Sequence, residues 1–237
     1  MTRIFRYLPV LVLALFCVQL ASAQSTFDIN VGFGYAHDSA PKTGIDNSVS
    51  GVLGPCPNPS GNSTCQPISG LGSFMLGVGG RLMLWKHFGA GFSADIEPAQ
   101  GNYANLTSYY TALGAGPGTY ELKDRVTFVN VDGIFRPYTS KKADINIIGG
   151  IGDANVKFYQ GVSTSGSVLG NTNQSQYQQS ANHFQVHAGV GVQLYVSGNI
   201  FIRPEVDIHY APNLNTQFNS NLAWGAMVWV GYSIGNR

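Results

Sequence analysis

The sequence predicts an all-β fold: eight antiparallel strands closed into an up-and-down transmembrane β-barrel. Three observations point there. Apolar and polar residues alternate with period two along eight segments, which puts alternate side chains on opposite faces of a sheet. The links between segments run long, short, long, short, long, short, long. Charged residues are 11% of the chain, against about 25% in ordinary soluble domains. A soluble protein so poor in charge would have little to cover its surface, whereas an outer face that meets lipid needs none.

Ahead of the strands, residues 1–23 have the three parts of a secretory leader. Arg3 and Arg6 are the basic start, Leu8 to Leu20 the apolar middle, and Ala21-Ser22-Ala23 the small-x-small cleavage site. Cleavage is expected before Gln24, with residues 24–237 forming the barrel domain. A retained signal anchor is the alternative, but the apolar run is short for a span and no basic stop follows it. Cys17 lacks the small residue that a lipid-anchor signal places just before its cysteine.

The leader takes two of the 13 basic residues, leaving 11 against 12 acidic ones. This balance carries no footprint for nucleic acid.

The strands then follow in order. The first puts Phe27, Ile29, Val31, Phe33 and Tyr35 on one face and Asp28 and Asn30 on the other. The second sets Phe74, Leu76, Val78, Leu82 and Leu84 against Arg81. In the third, Phe88, Phe92 and Ile96 oppose Asp95 and Glu97. The fourth sets Thr127, Val129, Val131 and Phe135 against Asn130, Asp132 and Arg136. In the fifth, between Asp144 and Tyr159, Ile145, Ile147 and Ile151 share one parity and Val156 and Phe158 the other, so a bulge is expected near Gly152-Asp153.

The sixth sets Phe184, Val186, Val190, Val192 and Leu194 against His183, Gln185, His187 and Gln193. The seventh sets Ile200, Ile202, Val206, Ile208 and Tyr210 against Arg203, Glu205, Asp207 and His209. Pro204 lacks an N–H there and should need a bulge or local distortion. The eighth sets Leu222, Trp224, Val228, Val230, Tyr232 and Ile234 against Met227, Gly231 and Ser233. Short links fall at Lys86-His87, Tyr138 to Ala143, and Ser197-Gly198-Asn199; the long ones cover 38–69, 98–118, 160–181 and 211–220.

Alternation alone also fits a soluble sandwich with one core face and one wet face. Membrane insertion is favoured because the polar face is mostly small or uncharged and the few strand charges keep one parity. Aromatics also recur near strand ends on the apolar face, as at Phe27, Tyr35, Phe88, Phe135, Tyr210 and Trp224, where ring and headgroup meet.

The leader, the eight strands and the link rhythm together resemble the small outer-membrane β-barrel families, the OmpA-like and OmpX-like proteins. The resemblance covers essentially the whole processed chain and rests on pattern. It implies an exported protein of the cell outer membrane, with termini in the periplasm and long loops outside. Enzymatic barrels exist, but no catalysis is expected here, because the strand histidines His183, His187 and His209 face inward and His37 and His87 sit in links. It implies outer-membrane lipid and lipopolysaccharide as surroundings and the barrel assembly machinery during biogenesis. Gly225, Gly231, Tyr232 and Ile234 resemble the terminal-strand signal for that machinery, although the chain runs on to Gly235-Asn236-Arg237 rather than ending on an aromatic. A surface or host ligand on the loops, or a porin-like channel for ions or apolar solutes, are further readings.

Candidate site residues follow from the inward parity. Asp28, Arg81, Asp95, Glu97, Asp132, Arg136, His187, Arg203, Glu205, Asp207 and His209 are expected to form a polar network filling the lumen, because an eight-stranded barrel is just wide enough for side chains to fill it. Pairing about the Ser197–Asn199 turn sets His187 opposite His209, a hydrogen-bonded pair in preference to a metal site. No cofactor or metal is expected. Cys56 and Cys65 flank a turn-rich segment and, in an oxidising compartment, are expected to form a disulfide rather than half of a metal site. The stretch Gly89-Ala90-Gly91-Phe92-Ser93-Ala94 fits a dinucleotide fingerprint in form only, since no helix follows it.

Overall fold

The computed structural model describes residues 25–38, 71–105, 118–164, 172–216, 218 and 220–235. The leader, most of the first long link and the Cys56–Cys65 pair lie outside the described residues.

Eight strands close one ring. They are β1 (Thr26–Asp38), β2 (Gly72–Met83), an interrupted β3 made of β3a (Phe88–Ile96) and β3b (Gly101–Asn105), β4 (Thr119–Thr139), β5 (Ala143–Thr164), β6 (Thr172–Ser197), β7 (Ile200–Tyr210) and β8 (Leu222–Gly235). Each pairs antiparallel with its sequence neighbours, and β1 closes on β8 from Thr26↔Gly235 to Asp38↔Ala223. β3a and β3b both pair with β4, so the break at Glu97–Gln100 interrupts one strand rather than adding a ninth. Pro98, which has no N–H to offer a ladder, lies in that break. A single ring replaces the two facing sheets that a sandwich requires.

Period two decides which side chains face out. β7 alternates exposed and buried at every position, and the apolar parity is the exposed one: Ile202, Val206, Ile208 and Tyr210 all lie on the surface. Phe33, Val78, Phe92, Val131, Ile151, Val190 and Val230 continue this belt round the ring. Aromatic rings border it at both ends, with Phe88 and Phe135 paired at 5.1 Å near the short turns and Tyr35 and Trp224 flanking His37 at the other end.

The short turns fall where the sequence places them. The tightest has Gly198 at φ +53°, a left-handed conformation that glycine adopts without steric cost.

Two expectations need correction, and a third is settled between its alternatives. No bulge occurs at Gly152-Asp153, because β5 pairs with β4 in unbroken register from Ile147↔Phe135 to Ser163↔Thr119. The change of apolar parity is real, but its cause is the surroundings. Ile145, Ile147 and Ile151 point outward in the belt, whereas Ala154, Val156 and Phe158 point inward beyond it and leave Lys157 outside. Second, strand enters the long links: β3b takes Gly101–Asn105 of the link 98–118, and β5 and β6 take 160–164 and 172–181 of the link 160–181, so that with β4 they run past the belt as a protruding wall. Third, of the two outcomes expected at Pro204, the structure shows a local interruption of the ladder and no bulge. Pairing with β6 skips Arg203 and Pro204 but resumes in the same register at Ile202↔Leu194, and Pro204 remains in step with Val228 on its other side.

A buried indole sits at mid-height. Trp229, Gly32 and Gly77 sit side by side on β8, β1 and β2. A Cβ at Gly32 would fall 2.6 Å from the Trp229 ring, and one at Gly77 2.5 Å from it. The indole therefore occupies the volume that two side chains would need. Gly32→Ala is expected to displace the ring and destabilise the barrel by about 1–3 kcal/mol, the usual cost of overpacking, measured as a lower urea midpoint in detergent micelles.

Candidate functional site: the filled lumen

The interior is layered. Nearest the short turns, Arg136 of β4 reaches two other strands, β1 and β5: its Nη2 donates to Asp28 Oδ2 at 3.0 Å, its Nε to Asn146 Oδ1 at 2.9 Å, and its Nη1 lies 3.5 Å from Asp144 Oδ2. Ser233 Oγ donates to the other Asp28 oxygen. Tyr195 donates to Asp144 Oδ2 at 3.0 Å, and Gln193 Nε2 donates to the Tyr195 hydroxyl at 2.5 Å. Asp28 and Asp144 are thereby charge-paired and hydrogen-bonded, the two conditions for holding a carboxylate away from water.

One layer up, Glu205 Oε2 accepts from Arg81 Nη2 at 2.5 Å and from Arg203 Nε at 3.0 Å. Arg203 also lies over the rings of Phe201 and Trp229, at 5.5 and 5.7 Å. Guanidinium groups suit both contacts, because the plane forks onto carboxylates and its face stacks on rings.

The third layer centres on His187. Its Nδ1 is 2.9 Å from Asp132 Oδ1 and its Nε2 3.3 Å from Asp207 Oδ1. The register places His209 directly opposite, but the imidazoles stack, with centroids 4.6 Å apart and planes 20° from parallel. They do not share a hydrogen bond. With both His187 nitrogens directed at carboxylates, the pair cannot converge on one ion, and no group of three or more metal-binding side chains forms among the described residues. Asp95 is buried in the same region.

Above this, chemistry gives way to packing. Phe128 stacks on the far face of His209 at 4.4 Å. It begins an apolar cluster with Leu122, Val126, Ala154, Val156 and Phe158 of the wall. The link after β7 folds into the mouth: Leu214 starts a single 3-10 turn (Leu214–Thr216), Phe218 N donates back to Leu214 O at 2.8 Å, and both side chains are buried. Tyr103 meets Phe158 and Phe218 edge-on at 5.0 and 5.8 Å.

Glu97 belongs to this upper tier rather than to the ionic layers. It accepts from Val126 N at 2.9 Å, above the lipid-facing belt. Burial, reinforced by the negative charge of Asp124, pushes its carboxyl up to about 7, and burial lifts that of Asp124 to about 6.

All eleven inward candidates are buried. Trp229, Phe128, Phe201 and Met75 were not among them. Their parity is that of Met227, Asn130, Arg203 and Ser73, so position along the strand was the available signal. His37, read as part of a link, lies in β1, where its Nδ1 is 2.7 Å from Leu71 O.

No protein-family model and no curated protein matches the chain. Solved structures do. The outer membrane protein OprG from Pseudomonas aeruginosa superimposes with TM-score 0.51 at 10% identity, over 90% of this chain and 98% of that one. A major outer membrane protein from Thermus thermophilus gives 0.51 at 9%, over 89% and 99%. Ail, the attachment invasion locus protein of Yersinia pestis, in complex with the heparin analogue sucrose octasulfate, gives 0.46 at 13%, over 89% and 99%. At these identities the likeness is one of fold: the chain has the architecture of the small outer-membrane β-barrels.

Two measurements check this layering. Arg136→Met should leave Asp28 and Asp144 buried without their cation and cost about 3–5 kcal/mol, with much of the loss recovered when Asp28→Asn is added. Second, because the Glu97 carboxyl titrates higher folded than unfolded, it contributes stability that is full below about pH 4.5 and is lost as pH rises through about 7. Glu97→Gln should flatten the fall in urea midpoint between pH 5 and pH 8 relative to wild type.

Proposed function

We propose that the protein is an integral outer-membrane barrel with a closed lumen, acting in envelope structure and surface interaction rather than in catalysis or transport. The observation that carries this reading is the succession of side-chain layers along the barrel axis. Three layers of paired charges are followed by an apolar plug and an infolded link.

The polar network of Asp28, Arg81, Asp95, Asp132, Arg136, His187, Arg203, Glu205, Asp207 and His209 is assigned a structural role, tying non-adjacent strands together across the lumen. Arg136 alone connects three strands, and Arg81 reaches Glu205 on the opposite side of β1 and β8. A fold shared with outer-membrane proteins does not choose among adhesion, transport and catalysis, because function lies in sites grafted onto folds. The interior supports no hydrolytic reading: His187 is held between two carboxylates and His209 between two rings, so neither is directed at a nucleophile.

The leader at 1–23 supplies the export that this reading needs, and the β8 positions Gly231, Tyr232 and Ile234 are proposed to present the assembly signal. The protruding wall and long links are left to face partners outside the cell.

Conductance across planar bilayers tests the closed lumen. The expected result is a bilayer that stays silent after insertion is verified by heat-modifiable gel mobility. Reproducible unitary steps from inserted wild-type protein would instead establish the channel reading.

A further inference from the structure

The outer surface of the wall reads as rungs across β4, β5 and β6. Rising from the belt they are Val129, Asp153, Phe184; then Thr127, Asn155, Asn182; then Arg125, Lys157, Ser180; then Lys123, Tyr159, Tyr177. The third rung is anomalous. Arg125 and Lys157 are directly opposed cations on the outward face, and side chains so placed have Cβ atoms about 5 Å apart, where like charges destabilise a sheet. No carboxylate shares the rung. Glu121, two rungs up on β4, is engaged by Lys123 at 3.5 Å, and Asp153 lies two rungs down. Arg125 is held in place by donation from its Nε to Glu97 O at 2.7 Å.

We infer that this rung binds an anion, namely a phosphate carried on the sugars of an outer-leaflet glycolipid. The inference rests on the outer-membrane reading above, and three further observations carry it. The first is height. Four residues separate the cations from the belt rung, about 13 Å along the strand, or about 10 Å of height at the usual barrel tilt. The polar zone of an ordinary bilayer is about 5–8 Å deep on each side, so the rung stands above the phosphate of a simple phospholipid and level with one mounted on sugar.

The second is the company the cations keep. Asn155 donates to Asn182 one rung below, Tyr177 and Ser180 hydroxyls lie 3.1 Å apart, and Tyr159 meets Tyr177 edge-on at 5.9 Å. Amides, hydroxyls and aromatic edges offer the hydrogen bonds and ring faces that sugars use. The third is continuity. The rung rises on the same strands and the same face as Val129, Val131, Ile151 and Phe184, so a lipid lying against the belt brings its own headgroup to the cations.

The test compares wild type with the Arg125→Gln/Lys157→Gln double variant, and with Lys157→Gln alone, after heat-modifiable mobility shows that each has folded and inserted. A wild type that does not insert would overturn the outer-membrane reading itself, independently of the anion site. In zwitterionic micelles without glycolipid, Lys157→Gln should raise the urea midpoint by relieving repulsion. Adding bis-phosphorylated lipid A should reverse that order, stabilising wild type and binding it at least tenfold more tightly than the double variant at low salt, with the difference shrinking as salt rises. Enzymatically dephosphorylated lipid A should not discriminate between the proteins, nor should inorganic phosphate at millimolar concentration. Equal lipid A binding by wild type and double variant would overturn the assignment. So would equal discrimination with phosphatidylglycerol, which would place the phosphate in a simple phospholipid, or with inorganic phosphate, which would make the site one for free anions.

Discussion

The medium outside the wall changes along its height, and every other arrangement follows from that. In hydrocarbon an unpaired backbone N–H or C=O costs several kcal/mol, so a sheet crossing it must close. The pairing of β1 with β8 over thirteen rungs meets that demand. The same medium reverses the usual placing of side chains, with Val131 and Ile151 outside and Asp132 inside. Where β4 and β5 rise out of the lipid, water resumes its ordinary role. Arg125 and Lys157 then turn outward while Val126, Val156 and Phe158 turn in. One strand thus carries two opposite polarity codes without a break in register.

That switch also determines what fills the lumen. Inside the belt the inward residues are polar, and burying them is favourable only when charge and hydrogen-bonding capacity are matched. Arg136 lies between two carboxylates, Asp28 and Asp144, while Arg81 and Arg203 share one, Glu205, so these charges balance across the two layers rather than within each. His187 is matched differently, by one carboxylate at each nitrogen. Beyond the belt the wall builds a conventional apolar core that needs a cover on its open side. Leu214 and Phe218 provide it. The stacked run His187–His209–Phe128 is where ionic filling passes into apolar packing, each ring serving one side of the boundary.

Parity was legible in the sequence wherever lipid and lumen differ in polarity. Strand order, the three short turns and the outward faces could be read because Phe, Ile and Val alternate with Asp, Arg and Gly. The opposition of His187 and His209 followed from one turn and simple counting. The upper wall was not legible in the same way. A reader who equates apolar with outward finds Val156 and Phe158 out of phase with Ile151 and inserts a bulge, when it is the surroundings that have changed. The same assumption shortened β4 to β6, since beyond Val129 and Ile151 the expected signal inverts. Trp229 and Phe128 are apolar rings on the polar parity, so hydrophobicity and parity give opposite answers for them. The glycines at 32 and 77 that make room for the Trp229 ring come together only once the strands are in register.

Division of labour follows from the same boundary. Side chains below it are committed to one another: each guanidinium of the lower layers already lies against a carboxylate, and a change there is felt as stability. Above it, on the outward face of β4 to β6, the constraint is relaxed, because neither lipid nor a tight interior dictates the residue. An unopposed pair of cations there is retained against its own repulsion, which is the opposite of how the lumen treats charge. The lumen gives each of its cations a carboxylate and the wall does not, so the wall is the part of this barrel whose electrostatics are completed from outside the chain.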